Sequence, residues 1–347
     1  MTPLPCPCNS PPLGYSDFIV RDSDVTADVV GVGLNATDTL IRLPHFPAFD
    51  SKVEFISADV LPGGQVASAM AACAEWGFRA RYVGKIGDDR AAEFQRAELA
   101  RAGVEAHWLA VPDCPSQAAY ILVDEKSGER TILWRRDPRL ELRPEELQRV
   151  WIDSAGALLV DGHDTAAAAQ AARWARESGN PVFADVDNLY PGVEDLLKNV
   201  DYLMASRDFP GKLTGEHDLA KSLPAIQQRY GNRLVGVTLG RVGALAWDGR
   251  RFLPCPGYAV DAVDTTGAGD IFHGAFVYAM LENWPLERVL DFSCAAAALN
   301  CTALGARGGI KPVAEIERLM RDGRRTVSPD EIGGIKLASL EARGTGE

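Results

Sequence analysis

Residues 263–274 read VDTTGAGDIFHG and place two glycines directly before an apolar helical pattern. A strand-like run over 257–263 leads into them. Glycines in this position allow backbone N–H groups to converge on an anion, because no Cβ blocks the approach. The amino end of the helix contributes roughly half a positive charge. The stretch therefore predicts an anion hole that suits a phosphoryl group in transfer.

Asp270 falls in the first turn of the predicted helix, beside this anion hole. A carboxylate there can accept the proton of an attacking hydroxyl, and it is ionised at neutral pH without a large pKa shift. The alternative is a carboxylate that only caps the helix. The surrounding GAGD motif favours the catalytic role.

The rest of the chain alternates short strands with helices, which predicts an α/β fold with a mostly parallel sheet and helices on both faces. Ligands in such folds bind beyond the carboxyl ends of the strands. Two segments, about 39–61 and 116–135, have β-type patterns without an intervening helix. In the second, 118–123 and 130–134 flank a hairpin turn. We interpret both segments as a small β-sheet lid.

Composition excludes several classes of protein. The net charge of -12 disfavours a nucleic-acid partner, and no run approaches the ~18 to 20 apolar residues of a membrane helix. Seven cysteines without metal-type spacing fit a reduced, cytoplasmic protein. No P-loop motif occurs. We expect a disordered Pro-rich leader over 1–27, a kinase domain over 28–325 and a loosely ordered tail over 326–347.

The sequence DTTGAGDIFHGAF resembles the C-terminal signature of the ribokinase-like, or PfkB-type, carbohydrate kinases. Residues 62–69 (PGGQVASA) and 84–89 (GKIGDD) resemble the N-terminal signature, and the resemblance covers nearly all of 28–320. It implies a doubly wound α/β domain with a β-sheet lid, which in this family often forms a dimer interface. It also implies ATP and Mg²⁺ as cofactors, and it leaves a monovalent cation such as K⁺ open.

The resemblance implies a role for each matching residue. Gly267, Ala268 and Gly269 match the anion hole, and Asp270 matches the base. Asp38 matches the aspartate that holds substrate hydroxyls, while Gly63 and Gly64 match a di-glycine that lets the backbone approach the sugar. Arg130 matches a lid position with a structural role. The positions that match the nucleotide site are Thr238, Gly240, Gly243 and Asn300, the last of which could instead be an exposed helix residue.

Some positions depart from the family pattern. Ser68 stands where many members carry Asn, so a substrate contact is altered. The usual Asn-x-x-Glu falls at 206–209, where neither residue fits, so the metal ligands stay unknown. Asp185, Asp187 and Asp208 are candidates for the missing carboxylate. The chain is also similar to sulfosugar kinases of the family, and Lys52 matches a basic residue of their anionic-substrate site.

The sequence thus predicts an ATP-dependent kinase that phosphorylates a hydroxyl of a ketose, phosphosugar or sulfosugar. Two alternatives stay open. One is a nucleoside kinase of the same fold, in which Trp134 or Phe46 would stack on a base. The other is a sugar- or nucleotide-binding regulator without turnover.

Overall fold

The computed structural model describes residues 25–126 and 130–333. Within these residues, the strands are β1 (Val29–Val32), β2 (Ala36–Leu43), β3 (Ser57–Gly63), β4 (Ala80–Ile86), β5 (Glu105–Ala110), β6 (Ala118–Asp124), β7 (Arg130–Arg135), β8 (Leu158–Asp161), β9 (Val182–Val186), β10 (Tyr202–Ser206), β11 (Leu234–Thr238), β12 (Gly243–Trp247) and β13 (Phe252–Pro256).

The helices of the same described residues are α1 (Gln65–Glu75), α2 (Arg90–Arg101), α3 (Arg149–Asp153), α4 (Thr165–Glu177), α5 (Val193–Leu197), α6 (Phe209–Thr214), α7 (Leu219–Tyr230), α8 (Ala268–Leu281), α9 (Leu286–Asn300), α10 (Val313–Asp322) and α11 (Pro329–Gly333). None of them is long and apolar enough to cross a membrane.

A nine-stranded sheet in the order β13-β12-β11-β10-β9-β8-β1-β4-β5 forms the main domain. The pairs from β11 to β5 are parallel, and only the two pairs that involve β12 are antiparallel. Side chains of a strand alternate between faces, so neighbouring residues of β1 enter different cores. Val29 packs in one cluster with α1, α8 and α9, and Val30 in the other with α4 and α7. The predicted mostly parallel α/β fold with helices on both faces is confirmed.

The lid is a separate four-stranded sheet in the order β3-β2-β6-β7. Its β6–β7 pair is the hairpin that the sequence predicted, with Ala118 opposite Arg135. On its inner face, Leu40 and Ile121 are buried against Leu61 and Leu304. Residues that alternate with these point to the outer face. The small apolar core on one face explains how the lid holds its shape while projecting from the main domain.

The strand-like pattern over 257–263 does not form a strand. Strand β13 ends at Pro256, and an isolated bridge joins Tyr258 to Arg325. A Cβ at position 257 would lie 2.4 Å from the carbonyl oxygen of Arg241, and residues 261–263 are exposed. The chain therefore leaves the edge of the sheet at Gly257 and runs as an irregular segment toward α8.

The packed part of the chain extends beyond the predicted boundaries. Ala27 is 1% exposed and bridges to Ala155, and Ile332 in α11 is also 1% exposed. The leader and tail predicted from the sequence otherwise fall on 1–24 and 334–347, outside the described residues. The turn of the lid hairpin, 127–129, lies outside them as well.

Candidate active site

Four parallel strands end at the same edge of the main sheet and bring polar residues together. Asp161 at the end of β8 lies opposite Asp185 of β9, and Ser206 at the end of β10 lies opposite Thr238 of β11. This edge is where doubly wound folds bind ligands. Helix α8 begins beside it, since His273 of α8 lies 2.8 Å from the carbonyl oxygen of Met204 in β10.

Residues 264–269, here called the anion-hole loop, lead into the first turn of α8, which begins at Ala268. Gly267 is the N-cap with φ of 74°, and a Cβ there would lie 2.4 Å from Cα of Ala306. A Cβ at Gly269, by contrast, would meet no atom within 4 Å. Within the described residues, the N–H groups of Gly267 and Gly269 have no hydrogen-bond acceptor, while Ala268 N–H donates to Thr265 at 3.3 Å. Unsatisfied amides beside open space are suited to bind an anion.

Asp270 lies in the first turn of α8 and is partly exposed at this opening. The pKa of Asp270 is raised to about 7, chiefly by burial of the carboxyl group and also by the nearby Asp185. His273 and Arg307 oppose the rise in pKa. This corrects the expectation that the base needs no large pKa shift, because packing around α8 excludes water from a group that the sequence alone leaves solvated. A pKa near the working pH is favourable for a general base.

Buried side chains hold the anion-hole loop in place. Asp264 is 1% exposed and accepts hydrogen bonds from the N–H and O–H of Thr266 at 2.9 and 2.7 Å. Asn300 is fully buried, which excludes the exposed-helix alternative. Its amide donates to the carbonyls of Thr266 and Ala306 at 3.3 and 3.1 Å. Asn300 is therefore a positioning residue for the loop, and its contact with a nucleotide stays a prediction.

Asp38 and the two glycines meet where the lid joins the main domain. Asp38 in β2 is 6% exposed, and a Cβ on Gly63 would lie 2.1 Å from its carboxylate Oδ2. Gly64 has φ of 90° and no room for a Cβ, which would lie 2.3 Å from Cα of Asn35. Burial raises the pKa of Asp38 to about 6, and Arg307 opposes that rise. Only glycine at these two positions therefore lets the Asp38 carboxylate and the backbone of Asn35 approach the chain this closely.

Arg307 is a site residue that sequence reasoning missed. Its Nε donates to Ser68 Oγ at 3.2 Å, and its Nη2 donates to the carbonyl oxygen of Gly63 at 2.9 Å. Among acidic residues, Asp270 and Asp38 have the largest electrostatic effect on the pKa of Arg307. The predicted substrate residue Ser68 is fully buried in α1 and now has a partner that the sequence did not indicate. The contact joins positions that are 239 residues apart.

The positions predicted for the nucleotide surround the end of β11. Thr238 is the last residue of β11, and Gly240 follows with φ of 58° and open space in front of it. Gly243 has a structural reason to be glycine, since a Cβ there would lie 2.0 Å from the carbonyl oxygen of Cys255. Lys52 is a further residue that the sequence predicted for the site. It is exposed in the loop between β2 and β3 and makes no hydrogen bond or ion pair within the described ranges.

The three candidate metal carboxylates have different surroundings. Asp185 is 6% exposed, and its Oδ2 lies 3.2 Å from Nδ1 of His273. Asp187 accepts the hydroxyl hydrogen of Tyr190 at 2.9 Å, and Asp208 is exposed at the start of α6. No group of three or more potential ligands occurs among the residues described. Mg²⁺ commonly keeps water ligands and is bound by one or two carboxylates together with substrate phosphates.

The lid contacts the anion-hole loop directly. Arg130 of β7 donates a hydrogen bond to the hydroxyl of Thr265. Trp134 of the same strand lies in one cross-strand row with Ala119 and Asp38 and is 63% exposed. Directly opposed residues point to the same face, so Trp134 shares the inner face of the lid with Asp38.

Known proteins share this architecture. The model for pfkB family carbohydrate kinases matches residues 27–312. The chain is 29% identical over 283 residues to the ATP-dependent ribose-1-phosphate kinase of Halopiger xanaduensis, covering 80% of this chain and 93% of the relative. It is 25% identical over 297 residues to the ribokinase of Bacillus subtilis, with 83% and 98% covered.

Solved structures agree with this assignment. The ribokinase of Thermotoga maritima has a TM-score of 0.74 and 26% identity, covering 85% of this chain and 100% of that protein. The family model spans most of the chain, and the anion-hole loop, Asp270 and the lid stand in one site. The chain therefore belongs to the pfkB family of carbohydrate kinases, which are phosphotransferases with an alcohol group as acceptor.

Proposed function

We propose that this kinase transfers the γ-phosphoryl group of ATP to a hydroxyl of a sugar derivative, with Asp270 as the general base. One observation carries the proposal. Asp270 stands at the mouth of the anion hole, next to open space in front of Gly269, and close enough to Asp38 for that carboxylate to contribute to the raised pKa of Asp270. A hydroxyl held by Asp38 can therefore reach both the base and the phosphoryl group.

In the proposed step, Asp270 takes the proton of the acceptor hydroxyl while its oxygen forms a bond to the γ-phosphorus. The bond between that phosphorus and the β,γ-bridging oxygen breaks, and ADP leaves. The amides of Gly267, Ala268 and Gly269 stabilise the charge on the transferred group. Asp38 and the backbone of Gly63 and Gly64 orient the acceptor.

The nucleotide is proposed to lie beyond the end of β11. Thr238, Gly240 and Gly243 would contact its phosphates and ribose, and Asn300 would support the adenine end. Mg²⁺, when bound, would neutralise charge on the triphosphate, and Asp185, a buried carboxylate that raises the pKa of Asp270, could hold its water shell. A requirement for K⁺ stays a prediction, which activity in potassium chloride against tetramethylammonium chloride would test.

The acceptor is proposed to be a ketose, a phosphosugar or a sulfosugar. The Halopiger relative is named for ribose 1-phosphate and the Bacillus relative for ribose. Membership of the family is therefore compatible with both phosphorylated and neutral acceptors. Lys52, which is exposed in the loop between β2 and β3, is proposed to contact an anionic group of such an acceptor.

The replacement Asp270→Asn tests the base. It keeps the shape of the side chain and removes the proton acceptor, so turnover should fall at least about 10²-fold. ADP release is measured against a panel of sugars, sugar phosphates and nucleosides. Asp322→Asn, an exposed position in α10, is the matched control and should retain full turnover. Near wild-type turnover of the Asp270 variant would refute the assignment. The same panel tests the non-catalytic alternative, which requires binding without ADP formation by the wild-type protein.

A nucleoside kinase is the second candidate, because Trp134 is exposed on the face of the lid that also carries Asp38. An indole in that position could stack on a base. Phe46, in the β2–β3 loop, is only 39% exposed and shares no strand with the site. If Trp134→Ala reduces phosphorylation of nucleosides but not of sugars, this candidate gains support.

We further propose a homodimer through the outer face of the lid. Val60, Tyr120 and Leu133 form one row on that face, opposed to Thr39, and each is more than half exposed. Such an apolar patch is typical of an interface. Light scattering should show a dimer that Tyr120→Glu dissociates.

The five cysteines of the described residues are all unpaired and buried, which supports a reducing compartment such as the cytoplasm.

A further inference from the structure

Arg307 carries a positive charge that the protein does not pair with a carboxylate. Within the described residues, no carboxylate oxygen lies within 4.0 Å of its guanidinium nitrogens, which is the distance limit for an ion pair. Asp38 and Asp270 are nevertheless close enough to act electrostatically on the guanidinium. Its two hydrogen-bond partners are neutral, a hydroxyl and a carbonyl oxygen. The remaining nitrogen, Nη1, has no acceptor in the described part of the chain.

This charge is costly where it stands. Burial lowers the pKa of Arg307 to about 10, so the group stays protonated at neutral pH despite being surrounded by protein. Most charged side chains in such positions are compensated by a partner in contact. Arg307 nevertheless keeps partial solvent exposure.

The position of the guanidinium indicates which ligand group would meet it. Both of its hydrogen bonds go to residues on the acceptor side, Gly63 at the end of β3 and Ser68 in α1. Its own backbone neighbour, Ala306, packs under Gly267 of the anion-hole loop. The guanidinium thus lies between the acceptor space and the path of the phosphoryl group.

We propose that Arg307 binds an anionic substituent of the acceptor, a phosphate, carboxylate or sulfonate, and so makes the kinase select anionic sugars over neutral ones. The inference rests on the proposed function in one respect, that Asp38, Gly63 and Gly64 line the acceptor site. An arginine is suited to this role, because its planar donors match the oxygens of such groups.

The same positive charge could instead meet the γ-phosphoryl group during transfer. The two sources of the anion give different results. If Arg307 binds a substituent of the acceptor, its replacement should weaken the binding of anionic acceptors but not of neutral ones, and this effect should be seen without ATP. A contact with the phosphoryl group makes it matter for kcat with every acceptor alike.

The experiment measures binding by calorimetry without nucleotide, with ribose and ribose 1-phosphate as one pair and fructose and fructose 6-phosphate as another. Wild-type protein should bind the phosphorylated member of at least one pair about 10- to 100-fold more tightly, the range expected of a charged hydrogen bond. Arg307→Met should abolish that difference while affinity for the neutral sugar is retained. Arg307→Lys should preserve part of it.

Arg173→Met is the matched control, because Arg173 is exposed on α4 and, within the described residues, forms a hydrogen bond only with Gln170. It should leave the preference unchanged. Retained binding of the neutral sugar and a far-UV spectrum like that of the wild type show that Arg307→Met is folded; if that variant is unfolded, the Lys variant alone decides. Equal affinity within both pairs, or an anion preference that survives loss of Arg307, would overturn the proposal.

This outcome is separable from failure of the proposed function. If Asp270→Asn retains turnover but the binding preference depends on Arg307, the base assignment is wrong and the anion site stands. If turnover requires Asp270 but Arg307→Met lowers kcat equally for neutral and anionic acceptors, the kinase mechanism stands and the anion site does not.

Discussion

The carboxylate of Asp264 accepts the backbone N–H of Gly305 with its Oδ2 at 2.8 Å, across 41 positions of sequence. Its other oxygen accepts both hydrogen-bond donors of Thr266. One buried side chain therefore joins the loop before α8, which forms the anion hole, to the loop after α9, which carries Arg307. The geometry of both sides of the site depends on this link.

Replacing Asp264 by Asn should reduce kcat by at least about 10-fold and lower the melting temperature. The amide has one acceptor oxygen in place of two, so a buried N–H loses its partner, at a cost of about 1 to 3 kcal/mol. Steady-state kinetics and thermal unfolding measure the two effects. Asp261→Asn, at an exposed position of the same segment, is the control. Unchanged kcat in the Asp264 variant would contradict the positioning role.

The rate should depend on pH through Asp270. The base is active only when ionised, and its pKa is raised to about 7 by burial and by Asp185. In the free enzyme, kcat/KM should therefore fall about 10-fold for each pH unit below this value and level off above it. Measurements from pH 5 to 8.5, with enzyme shown to be folded throughout, check the profile. A rate that stays constant down to pH 5 would show that a different group limits activity.

Ionisation of Asp270 should also affect the stability of the protein, but in the opposite direction: a rise in pH that increases the rate should decrease stability. The pKa of Asp270 is higher in the folded protein than its ordinary value of 3.8. The folded state then binds more protons than the unfolded state between these pKa values, so stability is lost as pH rises through this window. Asp270→Asn removes the charge, so it should raise the melting temperature at pH 8 by at least about 2 °C. Near pH 4 the two proteins should melt together. An equal difference at both pH values would exclude this ionisation as the cause.

The sequence predicted the parts of the site that are formed locally. Gly267 and Asp270 are close in sequence to the helix start that they serve, so their pattern is sufficient. Arg307 was missed because its role comes from contacts with Gly63 and Ser68, more than 230 positions away. The raised pKa of Asp270 has a similar origin, since it depends on how α8 packs on β9 and β10.

The strand-like pattern before the motif did not predict the structure correctly, for a related reason. Residues 257–263 have an apolar, β-type composition, but whether such a run joins a sheet depends on a free edge in the right place. Here β13 already forms that edge and ends at Pro256. The fold class, the lid segments and their hairpin could be predicted because periodicity and turn residues indicate them directly.

Gly63→Ala should have a larger effect on the affinity for the acceptor than on the stability of the protein. The new Cβ would lie 2.1 Å from Asp38 Oδ2, so the carboxylate that orients the acceptor must move. We expect the KM for the acceptor to rise at least about 10-fold, the loss of one charged hydrogen bond. The KM for ATP should change little. Gly179→Ala is the control, because it strains an exposed turn with φ of 79° far from the site. It should lower the melting temperature without affecting either KM.

Arg130 should keep water from the transferred phosphoryl group. Its hydrogen bond to Thr265 attaches the lid to the anion-hole loop, although the two residues are 135 positions apart. Without that contact the lid closes less tightly, and water can replace the acceptor hydroxyl. For Arg130→Met we expect more ADP to be formed than acceptor phosphorylated. Both products are measured in the same reaction, and wild-type enzyme should give a ratio near one.

Arg135 offers a matched control on the same strand. It lies opposite Ala118, whereas Arg130 lies opposite the buried Val123, so the two arginines point to different faces of the lid. Arg135→Met removes the same charge from the lid without touching the anion-hole loop, and it should keep the two products equal. If both variants stay coupled, the contact between Arg130 and Thr265 does not control water access. If both become uncoupled, the net charge of the lid matters and the specific hydrogen bond does not.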